Sequence, residues 1–194
     1  MATSAQSLHP CVFYYSVYGS THSYAMALAE RLGCEAVNLS DDEHAASTVD
    51  KHCDAGASPL VFLSPIYGPS LHGIDVAVHA AKRLDHRGKL TGARKVAFVT
   101  VGLSDPAKAV ARDATAGLLG EERDRIDRFY VPGAIDFPRL SGLHRTVMRG
   151  MLMFYASKPQ KTEFEKDLVA SGAVGFDHVD VELLVPIVRW ALTH

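Results

Sequence analysis

Apolar residues in this chain gather in short continuous runs, and the stretches between the runs carry helical periodicity. Cys11-Val12-Phe13-Tyr14-Tyr15 is the first run, and after the turn Ser16 to Thr21 a helix-like segment extends from His22 to Leu32. Within it, from Ser23 to Leu32, Ala25, Leu28, Ala29 and Leu32 share one face, the spacing of a helix, and Gly33 stands where a helix C-cap belongs. A short strand is expected around Glu35 to Asn38. It is followed by a polar helix opened by Ser40-Asp41-Asp42-Glu43, a cap-forming Ser three residues before Glu. Pro59 to Leu63 is the third strand, and Ser64-Pro65-Ile66-Tyr67-Gly68-Pro69 reads as a loop, because so much proline continues neither structure. Helical spacing returns from Ile74 to Leu84. Lys95 to Val101 is the clearest strand and stops at Gly102. A strand near Phe129 to Ile135, an amphipathic stretch from Leu140 to Tyr155, a polar connector and a last helix from about Asp180 to Leu192 complete the order. Pro186 should bend that helix or delay its start. No internal repeat, low-complexity tract or linker interrupts the pattern.

Continuous apolar strands alternating with helices argue for a parallel sheet covered on both faces, with right-handed crossovers. The expected class is therefore α/β, a doubly wound five-stranded parallel sheet with helices on both faces, in one domain spanning residues 1–194. Ligands of such sheets bind beyond the carboxyl ends of the strands, near a topological switch point. Three loops meet that condition: Ser16 to Thr21, Ser64 to Pro69 and Gly102 to Asp105.

Composition narrows the function. A chain of 194 residues that is 47% hydrophobic supports one sizeable core. A net charge of -2 supplies no basic field for nucleic acid. Met1 to Pro10 lacks a basic segment followed by an apolar one, and no run reaches membrane-spanning length, so the expectation is a soluble cytoplasmic protein. Cys11, Cys34 and Cys53 are odd in number and far apart, which signals neither a disulfide framework nor a zinc site.

The first loop carries the chemistry. Amide N–H groups at a helix N-terminus, the positive end of the helix dipole and short hydroxyls together suit a phosphate. No Lys or Arg occurs between Met1 and Glu30, so neutral donors alone would hold the anion. The Gly-Lys-Ser/Thr ending of a nucleotide triphosphatase is absent, and so is Gly-x-Gly-x-x-Gly at this turn, which favours a mononucleotide such as a flavin phosphate over a dinucleotide. Ser and Thr would also cap an unliganded helix. Hydroxyls at four of the six positions, counting Tyr18, exceed what a cap requires. A neutral cradle adds no positive charge near a flavin ring lying within roughly 10 Å of it, and so disfavours the anionic reduced ring.

Ser16-Val17-Tyr18-Gly19-Ser20-Thr21 resembles the phosphate loop of flavodoxin-type FMN proteins, Ser/Thr-x-Thr-Gly-x-Thr, with Tyr18 in place of the middle Thr. The resemblance implies a flavodoxin-like fold and FMN as cofactor. It further implies that Pro65, Ile66, Tyr67 and Gly68 cover one face of the isoalloxazine ring, and Thr100, Val101, Gly102, Leu103 and Asp105 the other. The well-known carriers commonly place a Tyr flat on the ring at that third loop, whereas here no aromatic occurs between Val99 and Ile126. Val131-Pro132-Gly133-Ala134-Ile135-Asp136-Phe137-Pro138-Arg139-Leu140, with the Met-rich stretch after it, is similar to the flavodoxin-like protoporphyrinogen dehydrogenases. Their basic insert after the fourth strand corresponds here to Asp105 through Asp113, which mixes charges. The implied activity is electron transfer between redox partners. A dehydrogenase handing electrons from a porphyrinogen to a quinone is the alternative, and a ligand-binding module that has lost flavin is a third reading.

Gly68 would let its peptide turn a carbonyl toward the flavin N5, since positive φ costs glycine little. It is equally a turn residue beside Pro69. Tyr67 is read as a ring contact, and His72, Asp75 and Asp105 as solvated side chains or caps before any catalytic role. No catalytic residue is named, because the flavin carries the chemistry. Leu140, Leu143, Val147, Met148, Met151, Leu152 and Tyr155 recur at helical spacing beside Arg139, His144, Arg145, Arg149 and Lys158. This reads first as a core-facing helix with soft Met packing. A basic amphipathic helix docked on a membrane surface, a partner or a quinone pool is the other reading, and Met153 and Phe154 leave a homodimer contact open.

Overall fold

The computed structural model describes residues 9–67, 70–86, 96–172 and 174–193. Its strands are β1 (Cys11–Tyr14), β2 (Ala36–Asn38), β3 (Leu60–Tyr67), β4 (Ser70–Leu71), β5 (Val96–Gly102), β6 (Ile126–Pro132), β7 (Ala134–Asp136) and β8 (Gly175–Asp177). The helices are α1 (Ser20–Leu32), α2 (Ala45–Asp54), α3 (Ile74–His86), α4 (Pro106–Arg112), α5 (Ala114–Leu119), α6 (Gly142–Ser157), α7 (Glu163–Ser171) and α8 (Val185–Leu192). Five strands pair in parallel in the order β2-β1-β3-β5-β6. Counted among themselves these are strands 2-1-3-4-5, the order of the flavodoxin-like doubly wound fold, with its switch point between β1 and β3.

Both faces of the sheet are covered, which is why the strand runs are continuously apolar. Phe13, Phe62 and Phe98 point to the face packed by Val49 and Cys53 of α2 and by Ala77, Ala80 and Leu84 of α3. Val12, Val61, Ala97 and Val99 point the other way, against Ala25 and Leu28 of α1 and Ile187 and Ala191 of α8. Buried Tyr24 on α1 donates to the Pro132 carbonyl at 2.8 Å and accepts from the Asp180 amide at 2.9 Å, tying the end of β6 to the approach of α8. A third apolar cluster, built on Ile135, Phe137, Leu140, Leu168 and Phe176, lies past the carboxyl end of β6, with Tyr18 and Leu103 packed against it.

Several elements depart from the pattern read in the sequence. Helix α1 starts at Ser20, so the last two residues of the first loop already belong to it. The capping box at Ser40 does not form. The Ser40 hydroxyl is engaged with Asn38 and with the backbone of Ser16, and Asp42 instead receives the His44 amide at 2.8 Å and the Thr48 hydroxyl at 2.6 Å ahead of a helix beginning at Ala45.

Ser64 to Tyr67 continue β3 rather than forming a loop, with Pro65 in register with Val101. The Leu63 carbonyl faces β1, where it accepts from the Tyr15 amide at 3.0 Å, so Pro65, two residues on, directs its nitrogen to that same side. Pairing with β1 has ended by then, and no ladder bond needs the missing N–H.

The fifth parallel strand begins at Ile126 and stops at Pro132, and Ala134–Asp136 pairs separately and antiparallel with β8. The polar connector contains α7, opened by a capping box between Thr162 and Glu165. Pro186 lies in the first turn of α8 and delays its start, and Gly33 closes α1 at φ 63. Cys11, Cys34 and Cys53 form no disulfide among the described residues. Among the described residues no helix is long and apolar enough to cross a membrane, and no cluster of His, Cys, Asp or Glu could hold a metal ion.

Candidate functional site

The carboxyl ends of β1, β3, β5 and β6 open into a cavity of about 610 Å³, within the range of small-molecule and cofactor sites. Tyr18 and Ser20 of the first loop, Pro65 and Ile66 of β3, and Val101, Gly102 and Leu103 from the end of β5 line it. Its far wall is Gly133 to Ile135 with His144, Val147, Met148 and Met151 of α6.

The first loop is shaped by Gly19, whose φ of 103° lies in the left-handed region that favours glycine. The Ser16 hydroxyl reaches forward to accept the His22 amide at 3.2 Å. The amides of Ser20 and Thr21, first in α1, have no acceptor in the preceding turn. Thr21 is buried, Val17 is exposed, and Ser20 faces the cavity. N–H groups without an intrahelical acceptor, a hydroxyl and the helix dipole, with no Lys or Arg before Arg31, suit a dianion at this end. Tyr18 is directed elsewhere. Its hydroxyl lies 2.5 Å from His144 Nδ1 and accepts the Ser141 amide at 3.4 Å, so it links the loop to the start of α6.

The third loop is pinned from behind by Tyr130. Its hydroxyl donates to the Ser104 carbonyl at 3.0 Å and accepts the Ser104 amide at 2.8 Å, and burial pushes the phenol up to about 12. Gly102 fits because a Cβ there would stand 2.8 Å from both Ile66 Cγ2 and the Tyr130 hydroxyl. Thr100 points to the opposite face of the sheet, where it meets the Thr115 hydroxyl at 2.9 Å beside a separate cavity of about 320 Å³. Asp105 caps α4 through the Lys108 amide at 3.2 Å. The backbone of Tyr67 pairs with Ser70 in a short antiparallel turn, and Gly68 lies outside the described residues.

Periodicity alone did not assign α6, Gly133 or Tyr130 to this site. The apolar face of α6 was visible, but no residue of α6 is fully buried, and the helix walls a cavity in addition to packing on the third cluster. That wall is anchored by Glu165. Its carboxylate receives Lys158 at 2.7 Å and Lys108 at 2.9 Å, contacts that, with the Thr162 amide, hold it down at about 2. Lys108 belongs to α4, directly after the third loop, so this ion cluster ties α7 to the sheet side of the site.

A doubly wound parallel sheet of order 2-1-3-4-5, with a helix N-terminus and a cavity beyond the carboxyl ends of its strands, defines a flavodoxin-like α/β protein. Residues 11–163 match the model of the flavodoxin domain family, and the chain belongs to that family. Among solved structures it is similar to the flavodoxin, WrbA-like protein from Agrobacterium tumefaciens, with 19% identity, 64% of this chain and 77% of that one covered, and a TM-score of 0.41. It is also similar to a de novo designed Rossmann 2x3 fold protein, with 6% identity, 80% and 98% covered, and a TM-score of 0.37. No curated protein matches the chain.

Proposed function

We propose that the protein binds FMN noncovalently and serves as a flavodoxin-type oxidoreductase passing electrons between partners, a redox protein or a quinone. The observation that carries this reading is that Ser20 both opens the N-terminus of α1 and faces the cavity, so one ligand with a phosphate at one end and a planar ring at the other would span both. Bound FMN supplies the redox chemistry, in one- or two-electron steps. In this reading the backbone of Ser16, Val17, Gly19, Ser20 and Thr21 binds the phosphate. Pro65 and Ile66, continued by Tyr67 and Gly68, flank one side of the ring. Val101, Gly102 and Leu103 flank the other, while Thr100 and Asp105 hold that loop from outside the cavity. Met148 and Met151 exclude water on the α6 side.

The test is direct. Purified protein is incubated with FMN and separated from free cofactor, and its visible spectrum is recorded. Retained flavin absorption at about one equivalent per chain is expected, and a colourless protein overturns the reading. A second reading, a flavoenzyme oxidising a porphyrinogen with a quinone as acceptor, is supported by the apolar wall that α6 presents to the cavity. FMN-loaded protein that leaves protoporphyrinogen unoxidised with every quinone offered removes it.

A further inference from the structure

The separate cavity of about 320 Å³ lies behind the third loop, on the face of the sheet that carries Phe98. Thr100 of β5 and Tyr130 of β6 form its floor, and Ala109 and Arg112 of α4 with Thr115 of α5 cover it. Thr100 and Thr115 are 4% and 8% exposed, and their hydroxyls stand 2.9 Å apart. Two hydroxyls carry two hydrogens, and one of them makes this bond. The other has no acceptor among the described residues, so a buried O–H donor is left over beside the cavity. The Tyr130 hydroxyl is already spent on both backbone groups of Ser104.

A positive charge is left over at the same place. Asp113 and Asp127 border the cavity, and each is engaged. Asp113 receives Arg128 Nε at 3.0 and 3.1 Å, so those two charges cancel. Asp127 alternates with Arg128 along β6 and turns to the α8 face, where it accepts from Trp190 Nε1 at 2.7 Å. Arg112, exposed at the rim, makes no ion pair and no side-chain hydrogen bond among the described residues. Ile66, Ala109 and Ala114 give the rest of the lining apolar surface.

We propose that this second cavity binds a small organic carboxylate, one oxygen accepting the spare threonine O–H and the other the Arg112 guanidinium. An ionised carboxyl group is acceptor-only at both oxygens, which matches two donors of this kind, and its single negative charge matches one uncompensated guanidinium. The volume exceeds that of an inorganic ion, and the apolar lining suits the body of an organic acid. Ile66, Ser104 and Arg112 line both cavities, so the bound acid lies at the border of the larger one. The inference is independent of flavin, and the test is read on protein without added FMN.

Benzoate and benzamide, its neutral counterpart of nearly the same shape, are titrated into the full chain by calorimetry and by methyl NMR of threonine-labelled protein. Benzoate is expected to saturate at roughly millimolar concentration and to move the methyl signals of Thr100 and Thr115, with benzamide about tenfold weaker or more. Arg112→Gln and the double variant Thr100→Val/Thr115→Val should each weaken benzoate about tenfold. The first alters an exposed side chain and the second replaces both members of a bonded pair by groups of the same shape, so circular dichroism and melting temperature should stay close to those of the parent. The double variant also assigns the two methyl signals by their loss. Benzoate that does not bind, binds no better than benzamide, or binds both variants as well as the parent overturns the proposal. Binding lost in Arg112→Gln but kept in the double variant also overturns it and assigns the anion to the larger cavity.

Discussion

Tyr130 acts on the site without lining the main cavity, by holding both backbone groups of Ser104. In Tyr130→Phe the amide and carbonyl lose a buried partner, a cost of about 1–2 kcal/mol. For a chain of this length that lowers the melting temperature by roughly 2–8 °C. Since the hydroxyl fixes the loop proposed to flank the ring, FMN affinity should fall about tenfold in the same variant, a loss of about 1.4 kcal/mol, read by flavin fluorescence titration. The phenol titrates only near 12, so the pin stays in place at neutral pH. Gly102→Ala tests the close approach from the other side. Its methyl meets Ile66 and a Tyr130 hydroxyl that is itself held, and urea unfolding should show a loss of about 1–3 kcal/mol.

Elements are joined across the site by Glu165, and the joint responds to acid. Its folded value of about 2 lies below the ordinary carboxyl value, near 4.3. The unfolded chain therefore takes up the proton first. The stabilisation is complete above about pH 4.5 and drains away as pH falls toward 2. Urea midpoints measured between pH 7 and pH 3 should show that decline in the native protein and a flatter one in Glu165→Gln, which starts about 2 kcal/mol lower. The capping box that Glu165 forms with Thr162 was written in the sequence as plainly as the Ser40 pattern. The two differ because Ser40 has competing partners in Ser16 and Asn38, contacts between segments that no local pattern reveals. The same reason covers Pro65. Proline forbids a strand only where its N–H is needed, and that depends on where β1 ends. The central parallel strands β1, β3 and β5 were legible because each is buried on both faces, whereas the edge strands β2 and β6 are only partly buried and the fifth begins and ends earlier than its apolar run suggested. β7 and β8, at three residues each, are too short to carry a period. The first and third loops at the strand ends were legible from topology, whereas Ser64 to Tyr67 continue β3; of the described residues expected to hold the cofactor, Tyr18, Ser20, Pro65, Ile66, Val101, Gly102 and Leu103 line the cavity. What α6 faces was not, since periodicity marks an apolar side without naming its neighbour.

For the molecule as a whole, a ligand that binds only the folded state adds stability. FMN at a hundred times its dissociation constant should contribute about 2.7 kcal/mol, raising the thermal midpoint by roughly 5–11 °C at 2–4 °C per kcal/mol. Differential scanning fluorimetry across an FMN series checks it, and an unmoved midpoint counts against a flavin site. The antiparallel pairing of β7 with β8 bears on the order in which the protein is made. The parallel sheet is complete once Pro132 has left the ribosome, but β7 has no partner until Gly175 to Asp177 follow. At roughly 5–20 residues per second, that interval lasts about 2–9 s. During it the carboxyl ends of the strands are in place while the α6 wall of the cavity is unfastened, so in the nascent chain the cavity has a wider doorway than in the finished protein.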